Sequence, residues 1–177
     1  MKVYLLCSLN DKDYMDPEFE FFKYFEDAHR CIKETIAEST MNNDISDKEV
    51  EYIIPLGNCI TRVEYTFYDY DDNEHFIVFE VFEIEISDGD CLCMFHHAYN
   101  GVNFHIEKIG TLEECQNQML DATAKIANDY DIDITDVDLF DVNEYDSCID
   151  TGDEWKMHNV IPVSYTHLRA HETAANL

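Results

Sequence analysis

The sequence is poor in basic residues, glycine and long apolar runs, and each shortage argues against a class of function. Only 11 Lys and Arg residues stand against 39 Asp and Glu residues, which leaves a formal net charge of −28. Such a surface disfavours direct binding to nucleic acid or to an anionic membrane. The five glycines are scattered and form no phosphate-binding loop or nucleophile elbow. No run approaches the roughly 18 apolar residues that a membrane span requires.

The cysteines also lack a pattern. Seven of them show no paired spacing of the kind found in small secreted proteins, and an odd number would leave one unpaired. Reduced thiols in the cytoplasm fit this better. What the chain does have is 46% hydrophobic and 13% aromatic residues, the composition of a folded protein. We therefore expect one cytoplasmic domain with a true core over residues 1 to 162.

Alternating apolar and polar residues predict a mainly antiparallel sheet. Between residues 59 and 109, four short runs separated by turn signals indicate a four-stranded meander, on which the rest of the chain would pack. Runs at 2 to 9 and 18 to 25 indicate a first hairpin. The predicted fold class is α+β, with two principal helices packed on the sheet.

Helical spacing locates these two helices. One begins near Glu26, and the other follows Thr111, which forms capping-box spacing with Glu114. A third, short helix is predicted from Ser46 to Ile53 because the same spacing occurs there.

The order of these elements suggests an internal duplication. Strand, loop, strand and helix are followed by Asp-Ile-Ser-Asp at 44 to 47, and the same order precedes Asp-Ile-Thr-Asp at 133 to 136. We expect two ββαββ units over residues 1 to 86 and 90 to 162. The third and fourth strands of the second unit would be VDLFDV (137 to 142) and WKMHNVI (155 to 161).

The last residues have a different character. VSYTHLRAHET, from residue 163, resembles the in-frame translation of a transposon-type sequencing adapter, and AANL resembles the bases that follow it. We therefore regard 163 to 177 as a non-native tail without function. The natural protein, and with it the second unit, is expected to continue past Pro162. Residues 1 to 162 resemble no family.

A hairpin turn places two histidines together. The dipeptide Asn100-Gly101 predicts a two-residue type I′ turn, which fixes the strand register. In that register His96 faces His105 and Glu107 is diagonal to His96, within about 5 to 7 Å. Two imidazoles and a carboxylate make a candidate metal site for a metal-dependent enzyme or sensor, although a fourth ligand is not evident. A plain surface histidine pair is the alternative, and no cofactor is predicted.

Acidic residues concentrate in the turn at 69 to 74 and in the run from 129 to 154, which has eleven carboxylates and no Lys or Arg. That run departs from a calcium-binding EF-hand loop at Ile134 and Phe140. As a strand, it would project carboxylates about 6.6 Å apart, a spacing that imitates a row of phosphates. The residues expected to contact a partner are Asp69, Asp71, Asp72, Glu74, Asp129, Asp131, Asp133, Asp136, Asp138 and Asp141.

The leading hypothesis is a non-enzymatic interaction protein that binds a basic protein, such as a nuclease or another nucleic-acid-binding protein. Inhibitors that mimic nucleic acid and immunity proteins against basic toxins both fit this physics. The plain alternative is an accessory domain whose acidic surface serves solubility alone.

Overall fold

The computed structural model describes residues 1–10, 17–42, 45–55, 57–69, 71–98, 102–133, 140–152 and 154–163. Within these ranges it contains two helices and two five-stranded antiparallel sheets, which confirms the predicted α+β class. The chain forms two compact units. Unit 1 covers Met1–Glu85, and unit 2 covers the described residues from Ile86 onward.

Unit 1 runs strand, strand, helix and then three strands. Its elements are β1 (Lys2–Asn10), β2 (Glu18–Phe22), α1 (Phe25–Asn42), β3 (Ile45–Ile53), β4 (Cys59–Asp69) and β5 (Glu74–Glu85). The strands lie in the order β2-β1-β5-β4-β3, each antiparallel to its neighbours. The first strand therefore pairs with the last, and β3 lies at an edge of the sheet.

Unit 2 repeats this arrangement. Its elements are β6 (Cys91–Ala98), β7 (Val102–Gly110), α2 (Leu112–Asp129), β8 (Phe140–Val142), β9 (Asp146–Asp150) and β10 (Trp155–Pro162). Their order in the sheet, β7-β6-β10-β9-β8, is the order of unit 1 with each strand replaced by its counterpart. In the described residues each unit is thus ββαβββ, one strand longer than the ββαββ pattern that the sequence suggested.

The predicted four-stranded meander is divided between the two sheets. Strands β4 and β5 pair in unit 1, whereas β6 and β7 pair in unit 2. The second neighbour of β5 is β1, and that of β6 is β10, so each of these central strands pairs with a strand distant in sequence. Hydrophobic periodicity shows that a strand exists but not which strand it pairs with.

The predicted short helix from Ser46 to Ile53 is wrong, because this stretch is the edge strand β3. Capping-box spacing favoured a helix, but pairing with β4 places Val50 opposite Tyr65 and Tyr52 opposite Val63. Tertiary pairing overrides a local helix signal of this size.

Helix α1 packs on one face of the sheet of unit 1. The helix predicted from near Glu26 is confirmed, and its Ala28 and Ile32 are buried against Phe22, Tyr65 and Phe79. Each of the large side chains contributes roughly 1.5–3 kcal/mol through the apolar surface it removes from water.

Helix α2 begins at the predicted capping box. Glu114 donates its backbone N–H to Thr111 Oγ1 at 3.2 Å, and Thr111 donates its own to Glu114 Oε2 at 2.8 Å. Cys115 and Met119 on the buried side of α2 pack on the sheet of unit 2 near Cys93. Neither helix of the described ranges is long and apolar enough to cross a membrane.

The face of unit 1's sheet opposite α1 holds a buried ion pair. Arg62 of β4 and Glu80 of β5 are cross-strand partners, and Arg62 Nη1 donates to Glu80 Oε1. Arg62 Nε and Nη2 donate to Glu64 Oε1 at 3.0 and 2.5 Å. Burial lowers the pKa of Arg62, but the two carboxylates outweigh it and raise the pKa overall. With side chains 10% and 7% exposed, Arg62 and Glu80 depend on each other for solvation.

We expect Glu80→Leu to lower the free energy of unfolding by about 3 kcal/mol, because it removes the more deeply buried of the two carboxylates that the Arg62 guanidinium binds. Adding Arg62→Met should recover most of the loss. Urea unfolding followed by circular dichroism measures both. Removing the exposed partner of Lys2 by Glu83→Gln is the control and should have a much smaller effect. A loss of less than about 1 kcal/mol for Glu80→Leu would contradict the prediction.

Candidate functional site

Strand β3 carries acidic side chains on one face of the sheet. Asp47, Glu49 and Glu51 alternate with Lys48, Val50 and Tyr52. The ring of Tyr52 lies 6.3 Å from that of His29 on α1, so the second set shares the α1 side and the carboxylates lie on the opposite side.

Two further glutamates lie on the same side of the sheet. Glu51 is opposite Glu64 of β4, and Tyr68 of β4 is opposite both Asp47 and Glu74 of β5. Because residues opposite each other in antiparallel strands share a face, these carboxylates form one set. We call it the acidic strand face: Asp47, Glu49, Glu51, Glu64 and Glu74.

The hydrogen bond and the raised pKa of Tyr68 show that these carboxylates lie close to its hydroxyl. Its hydroxyl donates to Glu74 Oε2 at 3.2 Å. The pKa of Tyr68 is raised, first by this hydrogen bond and the charge of Glu74, and further by the charges of Glu49 and Asp47. Successive carboxylates on β3 are about 6.6 Å apart, as in any extended strand. The face is therefore a row of negative groups, in which Glu64 is also paired with Arg62.

Asp47, Glu49 and Glu51 were not predicted as site residues, because the capping-box spacing at Ser46 favoured a helix here. The strict alternation of charged with other residues from Asp47 to Tyr52 was the signal for a strand with one acidic side.

The predicted residues Asp69, Asp71 and Asp72 lie in and beside the turn between β4 and β5. Asp69 Oδ1 accepts from the backbone N–H groups of Asp71 and Asn73, and its Oδ2 accepts from Asn73 Nδ2, all at 2.9 Å. Chiefly through the bonds from Asn73, the pKa of Asp69 is lowered to about 2. Asp69 therefore organises the turn, whereas Asp71, Asp72 and Glu74 are exposed.

The second predicted acidic set belongs to unit 2. Asp129, Asp131 and Asp133 are exposed at the end of α2 and just beyond it, and Asp141 is exposed on β8. Asp136 and Asp138 lie outside the described residues. Of the acidic run between 129 and 142, the described residues contain a strand only at Phe140–Val142, so the long alternating strand is not part of the described structure.

The predicted register of the β6–β7 hairpin is wrong by one residue. His96 faces Phe104 and His105 faces Phe95, so the two histidines lie on opposite faces of the sheet. The Asn100-Gly101 turn that suggested the other register lies outside the described residues. His96 is fully buried, with its ring 5.5 Å from that of Phe104.

This register removes the geometric basis of the metal site proposed for His96, His105 and Glu107, because the first residue points away from the other two. Across the parts of the chain that the structure describes, no three His, Cys, Asp or Glu side chains are grouped so that they could hold a metal ion.

Beneath α2 lies a buried polar chain that the sequence did not indicate: Thr123, Ser147, His158 and Glu107. The hydroxyls of Thr123 and Ser147 are 2.7 Å apart, and each lies within 3.4 Å of His158 Nδ1. His158 Nε2 lies 3.5 Å from Glu107 Oε2. Thr123, Ser147 and His158 are at most 2% exposed. Four elements, α2, β9, β10 and β7, each contribute one residue.

A hydroxyl, an imidazole and a carboxylate in contact also occur in catalytic triads, where the hydroxyl must reach the substrate. Here Ser147 is at the enclosed end, and Glu107, with its side chain 28% exposed, is at the open end. The nearby imidazole of His158 and the hydrogen bond from Gln118 lower the pKa of Glu107 against the opposing effect of burial. The buried polar chain therefore favours the ionised form of the Glu107 carboxylate at its open end, while its hydroxyls lie at the enclosed end.

Replacing Asp69 with Ala should destabilise the protein at pH 7. Because the folded pKa of about 2 is below the unfolded value of about 3.9, the charge of Asp69 stabilises the fold above about pH 4. This contribution is lost as the pH falls from about 4 to about 2, so the difference between parent and variant should shrink there. Thermal unfolding followed by circular dichroism over this range tests it. Equal destabilisation by Asp71→Ala would contradict the role given to Asp69.

Thr123→Val and Ser147→Ala should each lower the free energy of unfolding by about 1–2 kcal/mol, because each removes the buried hydrogen bond between the two hydroxyls. The double variant should lose less than the sum of the two, since both single changes break the same bond. Urea unfolding measures the cycle, with the exposed Ser87→Ala as control. Strict additivity would show that the two hydroxyls do not interact.

No known protein family, no curated protein and no solved structure matches this chain.

Proposed function

We propose that the protein is a non-enzymatic interaction protein whose acidic strand face binds an extended basic segment of a partner protein. The observation that carries this proposal is the coincidence, on the edge strand β3, of a row of carboxylates with an open sheet edge. A nuclease or another nucleic-acid-binding protein is the class of partner that fits best, and binding would occupy its basic surface.

Strand β3 offers its backbone as well as its charge. No strand of the described ranges pairs with its outer side, so an extended segment could add there through main-chain hydrogen bonds. On the α1 side of β3, Val50 and Tyr52 are 40% and 61% exposed, and Ile54 beyond the strand is 87% exposed. These side chains would give an added strand apolar contacts on the face opposite the carboxylates.

The occupant of this edge should be basic and should not be a second copy of β3. Pairing two copies would place Asp47, Glu49 and Glu51 beside the same carboxylates of the neighbour, which is destabilising. A segment with Lys or Arg at alternate positions would instead place one cation beside each carboxylate.

The nature of that segment links it to nucleic-acid-binding proteins. Their surfaces carry Lys and Arg spaced to contact successive phosphates, and these contacts supply most of the affinity. A row of carboxylates on a rigid strand presents to such Lys and Arg side chains the negative charge that successive phosphates present. Long-range attraction between the acidic protein and such a partner would also accelerate their association.

We place the protein in the cytoplasm. None of the seven cysteines, each within the described ranges, forms a disulfide bond, and five of them are buried. Burial raises the pKa of Cys59 to about 11 and that of Cys93 to about 12, so these thiols stay protonated and unreactive. Free thiols in this number suit a reducing compartment.

The test is the binding of a capped peptide of about nine residues that alternates Lys with Val. The variant Asp47→Asn, Glu49→Gln, Glu51→Gln should bind it about tenfold more weakly than the parent, measured as Kd by calorimetry. The matched control, Glu38→Gln, Asp88→Asn, Glu144→Gln, loses the same three charges from exposed positions elsewhere and should change Kd less than twofold. Raising the salt concentration should weaken parental binding steeply.

A second peptide of the same charge, with Pro in place of Val, separates strand addition from simple attraction because Pro cannot donate hydrogen bonds to a sheet. We expect it to bind much more weakly. Equal binding of the two peptides would contradict the strand-addition mode. Equal weakening by the two triple variants, or no binding at low salt, would contradict the acidic strand face as the site and leave the acidity as a matter of solubility.

A further inference from the structure

A groove of about 410 Å³ opens in unit 2 between α2 and the strands β6 and β7. Its apolar surface comes from Phe95, Ala122 and Ile126. Glu107 lies in its wall, where Gln118 Nε2 donates to it at 3.2 Å. The groove is thus the space into which the open end of the buried polar chain faces.

The charges around this groove are mostly negative. Asp121 and Asp129 of α2 line it together with Glu107, and Lys125 is the one cation among the described residues of its walls. Of the three carboxylates Glu107 is the one held at the groove by neighbouring side chains, since Gln118 donates to its Oε2 and His158 Nε2 lies 3.5 Å from the same oxygen. A fixed, partly buried carboxylate attracts a cation more strongly than a mobile surface carboxylate does.

The aromatic surface of the groove also suits a cation. The ring of Phe95 has three histidine rings within 6.2 Å of it: His97 at 6.0 Å, His105 at 6.2 Å and His158 at 5.0 Å between centroids. These contacts hold the Phe95 ring in place at the groove. Aromatic rings attract ammonium and guanidinium groups within about 6 Å, and they pack against alkyl chains as well.

We propose that this groove binds an organic cation, an ammonium or guanidinium group on a short alkyl stem, with its charge against Glu107 and its stem against Phe95, Ala122 and Ile126. A bare metal ion does not suit the groove, because its surface is partly apolar and it offers one fixed carboxylate where a metal needs several oxygen ligands. The proposal concerns unit 2 alone and does not depend on the acidic strand face of unit 1.

The test uses n-butylguanidinium and n-butylammonium as probes and n-butylurea as their neutral match, titrated into the full chain and followed by ¹H–¹⁵N NMR. The two cations should shift the side-chain amide of Gln118 and the backbone amide of Ala122 in a saturable way, and the urea should not. Glu107→Gln should weaken the binding of the cations at least tenfold, because it removes the charge and keeps the shape. Asp88→Asn, outside the groove, should leave it unchanged.

The variant Ala122→Phe tests the proposal independently, in case Glu107→Gln does not fold. Ala122→Phe fills the groove from α2 without removing a charge, and it should abolish the shifts while the far-ultraviolet circular dichroism spectrum stays that of the parent.

A capped tetrapeptide with a central Arg distinguishes the two sources of such a cation, a side chain of a polypeptide and a free small molecule. Binding by the peptide at least tenfold tighter than by n-butylguanidinium identifies a side chain of a polypeptide, whereas equal or weaker binding identifies a free small molecule.

Binding of n-butylurea as tight as that of the cations, or shifts that survive both Glu107→Gln and Ala122→Phe, would overturn the proposal. The variant Asp47→Asn, Glu49→Gln, Glu51→Gln should bind n-butylguanidinium as the parent does. If it does, the two proposals are independent of each other. A negative result with the Lys-Val peptide would not contradict the groove as a cation site, and a negative result with n-butylguanidinium would not contradict β3 as the site for a basic segment.

Discussion

In each unit the first strand pairs with the last, and the rest of the structure depends on that pairing. In unit 1, β1 and β5 pair from Lys2 opposite Glu85 to Asn10 opposite Ile77, and β6 and β10 pair in the same antiparallel manner in unit 2. Once these two strands are central, β2 can only join one side, and β4 followed by β3 the other. The helix between β2 and β3 must therefore cross the sheet on one face, and β3 must end at the edge.

This constraint explains which parts of the structure could be predicted from the sequence. The capping box of Thr111 and Glu114 was found because its contacts span three residues. The pairing of β1 with β5 joins residues more than sixty positions apart, and no local pattern reports it. The predicted register of the β6–β7 hairpin was wrong for a related reason. Asn100-Gly101 favoured a two-residue turn, yet the register of the structure places His96 opposite Phe104, where both are buried, and such burial decides register more strongly than turn preference.

The two units share a topology but differ in what lies under the helix. Under α1 the buried layer is apolar and aromatic, with Tyr65 at its centre, whereas under α2 it includes Ser147 and His158. Buried hydroxyl and imidazole groups cost free energy unless they bond to one another, which these do. Each unit also places a glutamate of its second strand near its helix. Glu20 accepts from the thiol of Cys31 on α1, whereas Glu107 Oε2 lies 3.5 Å from His158 Nε2. In unit 2 the polar layer therefore places the charged carboxylate of Glu107 at the groove beside α2.

The net charge of −28 raises the question of whether acidity here serves anything beyond solubility. Solubility requires only that carboxylates be numerous and dispersed, and it is poorly served by exposed aromatic and branched side chains. Strand β3 combines a row of carboxylates on one face with exposed Val50 and Tyr52 on the other. The carboxylates oppose pairing with a second copy, and the same charges favour a basic strand over a neutral one. Protection of the edge alone would need the carboxylates without the apolar face, whereas the proposed binding of a basic, extended segment would use both faces.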